Sequence, residues 1–248
     1  NLQVVDDLSK KEIYSNLIAL SDRFGFWIGF HENDKKKYLD TVIHYAKKNS
    51  LQNIEKLKEL KSSLKYPDNF DFLAQDITKL NAEILNNWIQ ARNIDLLVNN
   101  AGMLINKSFK DIHYDDYRKL MDVNFWGAFN LSQLLLEKLS NAKGQIFNIS
   151  SMGGVNFSSK FPGLSLYSSS KAAISILTEC LSEELKDLNI RVNAFALGAV
   201  QTEMLEEAFP NYKSGTSSQE MASFIVNFID SSKNLINGQV IRVTKSNP

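Results

Sequence analysis

From Phe70 to the carboxyl terminus, apolar positions fall into two alternating kinds of run. Short runs are nearly continuous in apolar residues. They are Phe70-Asp71-Phe72-Leu73-Ala74-Gln75-Asp76, Ile94 to Asn100, Gly144 to Ser150, Ile190 to Ala196 and Gly238 to Val243. Their length and β-branched or aromatic content predict strands. Between them lie long stretches with apolar residues every three or four positions, among them Tyr114 to Leu139 and Ser168 to Leu188, which predict helices. A strand apolar on both faces needs cover on both faces. The expectation is an α/β fold, a doubly wound parallel sheet in three αβα layers. We expect one domain over 1–248, with 66–248 as its core.

The first 65 residues follow a different pattern. Ser9-Lys10-Lys11-Glu12 reads as a capping box, and Ile13, Leu17, Leu20 and Phe24 follow at helical spacing, with Gly25 placed to end the helix. Phe26-Trp27-Ile28-Gly29-Phe30 is a short strand candidate. Two further helical runs are predicted, Lys35 to Lys48 and Leu51 to Leu64. The amino-terminal segment is thus expected to be atypical and mostly helical.

Charge narrows the choice of partners. Lys plus Arg and Asp plus Glu both number 28, so the formal net charge is zero. That balance gives no electrostatic case for nucleic acid or an anionic membrane, and Lys35-Lys36-Lys37 reads as a solvated helix face. Cys180 is the only cysteine, which excludes an intrachain disulfide, and its helical context predicts a small buried thiol. The three histidines, His31, His44 and His113, are scattered, with no metal-ligand spacing. No apolar run approaches the ~20 residues of a membrane span, and a secretory signal pattern is absent. The expectation is a cytoplasmic protein.

In parallel sheets, ligands sit beyond the carboxyl ends of the strands. Those ends are polar and small here: Asp76, Asn99-Asn100-Ala101-Gly102, Ser150-Ser151 and Leu197-Gly198. Just after the third of them, Tyr167-Ser168-Ser169-Ser170-Lys171 opens a helix with Tyr and Lys on one face. Hydride transfer at an alcohol carbon requires a proton to leave or reach the oxygen. A tyrosine serves near neutrality only when its pKa, about 10 unperturbed, is lowered, and a nearby ammonium does that. Among the eight tyrosines only Tyr167 has a lysine at i+4.

With these motifs in order, the chain from about residue 70 to 248 resembles the short-chain dehydrogenase/reductase family, whose sheet is Rossmann-like. Asn99-Asn100-Ala101-Gly102 is similar to the family's Asn-Asn-Ala-Gly turn, which lies along the cofactor. The resemblance implies a catalytic set of Asn124, Ser151, Tyr167 and Lys171. Asn124 holds a relay water, Ser151 holds the substrate oxygen in preference to Ser150, Tyr167 is the acid/base, and Lys171 binds the nicotinamide ribose and tunes Tyr167. It also implies cofactor contacts at Asp76 and Ile77 beside the adenine, at Asn100, Ala101 and Gly102, and at Val200 and Thr202 beside the nicotinamide carboxamide. Leu197 stands where the family usually has proline. The cofactor implied is NAD or NADP, the substrate a small alcohol or carbonyl compound, and the assembly a homodimer or homotetramer. Met204, Leu205 and Phe209 fall in the substrate-covering region.

One family motif is not found, the glycine-rich turn between first strand and first helix that approaches the pyrophosphate. Phe24-Gly25-Phe26-Trp27-Ile28-Gly29-Phe30 has two glycines but places large rings where a tight turn is needed, and no second strand is evident. Three explanations stand. The first strand and its turn precede Asn1, with Asn16 to Arg23 then serving as second strand; or Phe26 to Phe30 is a degenerate first strand with unusual nucleotide contacts; or the nucleotide half is lost, leaving a catalytically silent binding or partner subunit.

Overall fold

A computed structural model describes residues 26–31, 38–44, 58, 70–90, 92–232 and 235–245, with side chains at residues 58 and 73 and, within these ranges, from 75 onward. The capping box at Ser9, the helix expected after it and the alternative strand Asn16 to Arg23 lie outside the described residues. So does the run Leu51 to Leu64, apart from the helical Lys58.

Seven strands form one sheet in the order β3-β2-β1-β4-β5-β6-β7. They are β1 Phe26–His31, β2 Tyr38–His44, β3 Phe70–Ala74, β4 Leu96–Asn99, β5 Gln145–Ser151, β6 Arg191–Leu197 and β7 Val240–Val243. Strands β4 to β7 pair in parallel, as do β2 and β3. The strand order is that of a doubly wound sheet, with its switch point between β1 and β4. Strand β1 departs from the expected direction: it runs antiparallel to both neighbours, with Trp27 opposite Val98 and Val42. Strand β2 corrects the helix predicted over Lys35 to Lys48 and supplies the second strand the sequence did not reveal. The β-branched run Thr41-Val42-Ile43, paired on both sides, outweighs the helical spacing of the flanking residues.

Period-2 alternation divides the parallel strands between two helical layers. On one face Leu97, Ile146 and Val192 pack with Leu131, Leu135 and Leu139 and with Leu85 and Ile89 of α1 (Ala82–Ile89). On the other, Val98, Phe147, Ile149 and Phe195 pack with Met221, Ile225 and Ile229 of α7 (Ser218–Ser232). Phe147 and Phe195 stack there, with ring centroids 5.0 Å apart.

The helix predicted as one piece from Tyr114 to Leu139 is divided. It comprises α2 (Tyr114–Met121), a π-helical turn (Asp122–Trp126), α3 (Gly127–Leu134) and α4 (Leu136–Ala142). Gly127 allows this region to close on Ile77, since a Cβ there would stand 2.8 Å from Ile77 Cγ1. Helix α5 (Ser165–Glu184) and the short α6 (Glu203–Ala208) are the remaining α-helices among the described residues. Cys180 corrects another expectation: it is exposed, lying one turn from exposed Ile176 on the outer stripe of α5.

Candidate active site

The polar strand ends are joined to the helices by buried hydrogen bonds. Asn99 and Asn148 are register partners on β4 and β5. Asn99 Nδ2 donates to Asn148 Oδ1 (2.8 Å) and to Ser132 Oγ (3.1 Å), and Asn148 Nδ2 donates to Thr178 Oγ1 (2.9 Å). One ladder of amides and hydroxyls therefore links α3 to α5 through two strands. Buried polar groups without partners cost about 1–3 kcal/mol each, so this ladder favours one register of strand on helix.

The end of β5 and the turn after it set Ser150 and Ser151 against α5. Ser150 is buried, and its Oγ donates to the Lys171 carbonyl (2.8 Å) and lies 2.8 Å from Ser175 Oγ. Ser151 is half-buried, and its Oγ accepts from Gly153 N (3.2 Å), leaving the O–H to act as a donor. Gly154 brings this loop onto the helix backbone: a Cβ at 154 would stand 2.5 Å from the Lys171 carbonyl carbon and 2.7 Å from Ala172 N. Ser150 is thus committed to bonds with α5, while Ser151 is the less buried of the two.

Tyr167 and Lys171 occupy the first two turns of α5. Lys171 is 5% exposed and its Nζ donates to the Ile149 carbonyl (2.8 Å). Removal of the ammonium from water lowers its pKa from 10.5 to about 8. A Cβ at Gly102 would stand 3.3 Å from Nζ and 3.7 Å from Asn124 Oδ1, so the turn after β4 packs closely on both groups. Asn124 lies in the π turn, a distortion common at functional sites. Its side chain is fully engaged: Oδ1 accepts from Met103 N (2.7 Å), and Nδ2 donates to Met103 O and Ser170 Oγ (both 2.9 Å). The structure brings Gly102, Asn124, Lys171 and the strand end at Ile149 together.

The remaining sequence candidates are placed less uniformly. Asp76 is half-buried, and its Oδ1 caps the turn Ile77–Lys79 by accepting from Thr78 N and Oγ1. Ile77 is buried in the core, so of this pair only Asp76 offers a side chain to a ligand. Asn100, Ala101 and Gly102 are half-buried at the end of β4. Val200 packs on the core beneath α7, and Thr202 caps α6 by accepting from Leu205 N (3.1 Å), which leaves its O–H available.

Loops beyond the strands meet around this site. Lys107 N donates to Gly163 O (3.0 Å), and Asn106 Nδ2 donates to Ala208 O (2.9 Å), so segments following β4, β5 and β6 are joined. Gly163, at φ +86°, lies hard against the Asn106 side chain. Asp116 holds Lys107 at 2.7 Å. Its carboxyl lies below the ordinary range, first because of the His113 backbone N–H and then because of the Lys107 hydrogen bond.

Sequence reasoning missed Ser170 and the ladder of Ser132, Asn148 and Thr178. Ser170 is the inward member of three consecutive serines. Its spacing of three from Tyr167 and four from buried Ile174 was the signal that could have singled it out.

Among the described residues no group of three or more His, Cys, Asp or Glu could hold a metal ion. No helix among them is long and apolar enough to cross a membrane.

A family model described as short chain dehydrogenase matches residues 36–213. The chain belongs to that family. A second model, described as "Protein of unknown function (DUF815)", matches residues 1–67. The 3-oxoacyl-[acyl-carrier-protein] reductase FabG of Thermotoga maritima is 30% identical over 161 residues, 60% of this chain and 64% of that protein. A 3alpha-hydroxysteroid dehydrogenase of Mediterraneibacter gnavus is 35% identical over 159 residues, 62% of this chain and 60% of that protein. The chain thus spans about three-fifths of the length of these curated relatives. Among solved structures, "ElxO with NADP Bound" superposes with a TM-score of 0.68 at 25% identity, covering 82% of this chain and 86% of the other.

Proposed function

We propose that this chain is an NAD(P)-dependent oxidoreductase that interconverts an alcohol and a carbonyl on a small substrate. The observation that carries the reading is Lys171: a buried cation one turn behind Tyr167, close against the turn at Gly102 that ends β4. The residues fit the nicotinamide–ribose end of a dinucleotide, with Lys171, Tyr167 and Asn100 to Gly102 along the ribose and Val200 and Thr202 at the carboxamide. Asp76 and the backbone of Ile77 stand at the adenine end. When bound, the nicotinamide supplies or accepts the hydride. The structure of "ElxO with NADP Bound" supports this choice of cofactor.

In the reducing direction the Ser151 hydroxyl donates a hydrogen bond to the substrate carbonyl oxygen and holds it toward Tyr167. Tyr167 gives that oxygen its phenolic proton, and in oxidation takes it back. The Lys171 ammonium favours the phenolate left behind, as an adjacent opposite charge does. Asn124 fixes the end of β4 against α5 and orders the path by which the proton is replaced.

The catalytic core is 66–248 of one domain. The assembly we propose is a homodimer or homotetramer in the cytoplasm, through the π turn with α3 and through α5. Trp126, stacked on Phe129 with centroids 5.7 Å apart, is exposed there, as is Ile176.

The test is Tyr167→Phe, assayed with NADH and NADPH against aliphatic, cyclic and steroidal ketones. Turnover should fall by at least ~100-fold, as expected for loss of a general acid, while nucleotide still changes the fluorescence of the three tryptophans. Unchanged turnover, or a wild type inert to the whole panel, overturns the proposal. The reversed β1 favours a second reading, a partner subunit without turnover. Absence of any fluorescence response to millimolar NADH and NADPH would select it.

A further inference from the structure

In an α-helix the carbonyl of residue 167 accepts from the N–H of residue 171. The turn that carries Tyr167 and Lys171 is therefore closed through one oxygen. Ser170 Oγ donates to that same oxygen at 2.7 Å. It also accepts from Asn124 Nδ2 at 2.9 Å, across 46 residues of sequence. Asn124 in turn grips both the N–H and the carbonyl of Met103, just beyond Gly102. Ser170 is 0% exposed and Asn124 2%.

We infer that Ser170 is a positioning residue of the proton relay, its hydroxyl tying Asn124 to the helical turn that bears Tyr167 and Lys171. The inference rests on the oxidoreductase reading above. A hydroxyl has one proton and two lone pairs, so Ser170 can donate to Tyr167 O while receiving Asn124 Nδ2. Its neighbours do neither. Ser169 is exposed and bonds back to Ser165 O (2.8 Å), and Ser168 faces Gly153. Without the Ser170 hydroxyl, Asn124 keeps only its Met103 contacts and is free to shift relative to α5, which misaligns the relay without touching substrate.

The experiment compares Ser170→Ala and Ser170→Thr in the full chain, with NADPH and whichever of the panel ketones the wild type reduces. Ser170→Ala should lower kcat roughly tenfold or more, a fraction of the general-acid contribution, with the KM for NADPH unchanged. The solvent deuterium isotope effect on kcat should rise, because proton delivery becomes the slower event. Ser170→Thr should recover most of the rate. In the free protein, hydrogen exchange of the Asn124 side-chain amide should be faster in Ser170→Ala than in wild type or Ser170→Thr. Equal impairment of both variants with lower thermal stability would reduce Ser170 to a packing residue and overturn the inference. So would wild-type turnover, or an unchanged isotope effect, in Ser170→Ala. A wild type inert to every ketone overturns the oxidoreductase reading itself, and the positioning role falls with it.

Discussion

The two strands that meet at the sheet's switch point run in opposite senses. Strands β4, β5 and β6 leave the sheet at its carboxyl edge, and each delivers there the residues that end it: Asn99-Asn100, Ser150-Ser151 and Leu197-Gly198. Across the switch point, β1 enters the sheet at that edge, since Trp27, its second residue, pairs with Val98, the next to last of β4. A strand that leaves can feed a turn and then a helix whose amino terminus faces the ligand, the geometry that binds phosphate. A strand that enters cannot. The family match begins at residue 36, so β1 lies outside it. Direction, more than strand order, sets β1 apart, since β3 beyond it runs parallel to β4 and brings Asp76 to the same edge.

If the β4–β6 half works through close seating of the Ser151 loop on α5, the largest effect should come from Gly154→Ala. The added methyl meets helix backbone, which cannot give as a side chain can. A loss of roughly 3 kcal/mol in urea denaturation, together with a fall in turnover, is expected. A stable, active variant would show that the close approach does not matter.

A smaller effect concerns the charge buried in that half. The Lys171 pKa is lowered by burial to about 8, against 10.5 for the ordinary side chain. Below pH 8 folded and unfolded chains both carry the proton, and the folded one bears the full cost of the buried ammonium. As pH rises from 8 to 10.5 the unfolded chain binds more protons, so stability rises. Between pH 7.5 and 9.5 the gain should be about 2 kcal/mol. Urea midpoints at the two pH values should differ in wild type by that much more than in Lys171→Met, and equal differences in the two proteins would refute the assignment.

The smallest effect on function belongs to the other half, and it tests the comparison itself. With Cys180→Ser as background, Trp27→Cys with Val98→Cys places two thiols at an antiparallel register pair. Oxidation should join them in high yield and leave turnover unchanged. No cross-link would mean that β1 does not run against β4.

What was legible in the sequence follows from this division. Strands β4, β5 and β6 announced themselves because burial on both faces forces near-continuous apolar runs, and the motif residues at their ends carried the candidate site. The reversal of β1 was not legible, since Phe26-Trp27-Ile28-Gly29-Phe30 reads the same for a strand of either direction. Strand β2 was hidden by lysines at helical spacing around a short β-branched run. Ile77 illustrates a different gap: its motif position suggested a ligand contact, while its side chain fills the core beside Gly127. Ser170 was hidden for the opposite reason, because three consecutive serines look alike until a helix decides which one faces in.

The π turn at Asp122–Trp126 carries one residue more than an α-helix would use over the same path. Deleting a single codon anywhere in this stretch would restore regular winding and rotate everything upstream by about 100° against everything downstream. Asn124 would then leave Met103 and Ser170, although no residue type at the site had changed. In this stretch, natural variants that alter length by one should therefore be rarer than those that alter side chains, a bias that a deletion scan of residues 114–134 can measure.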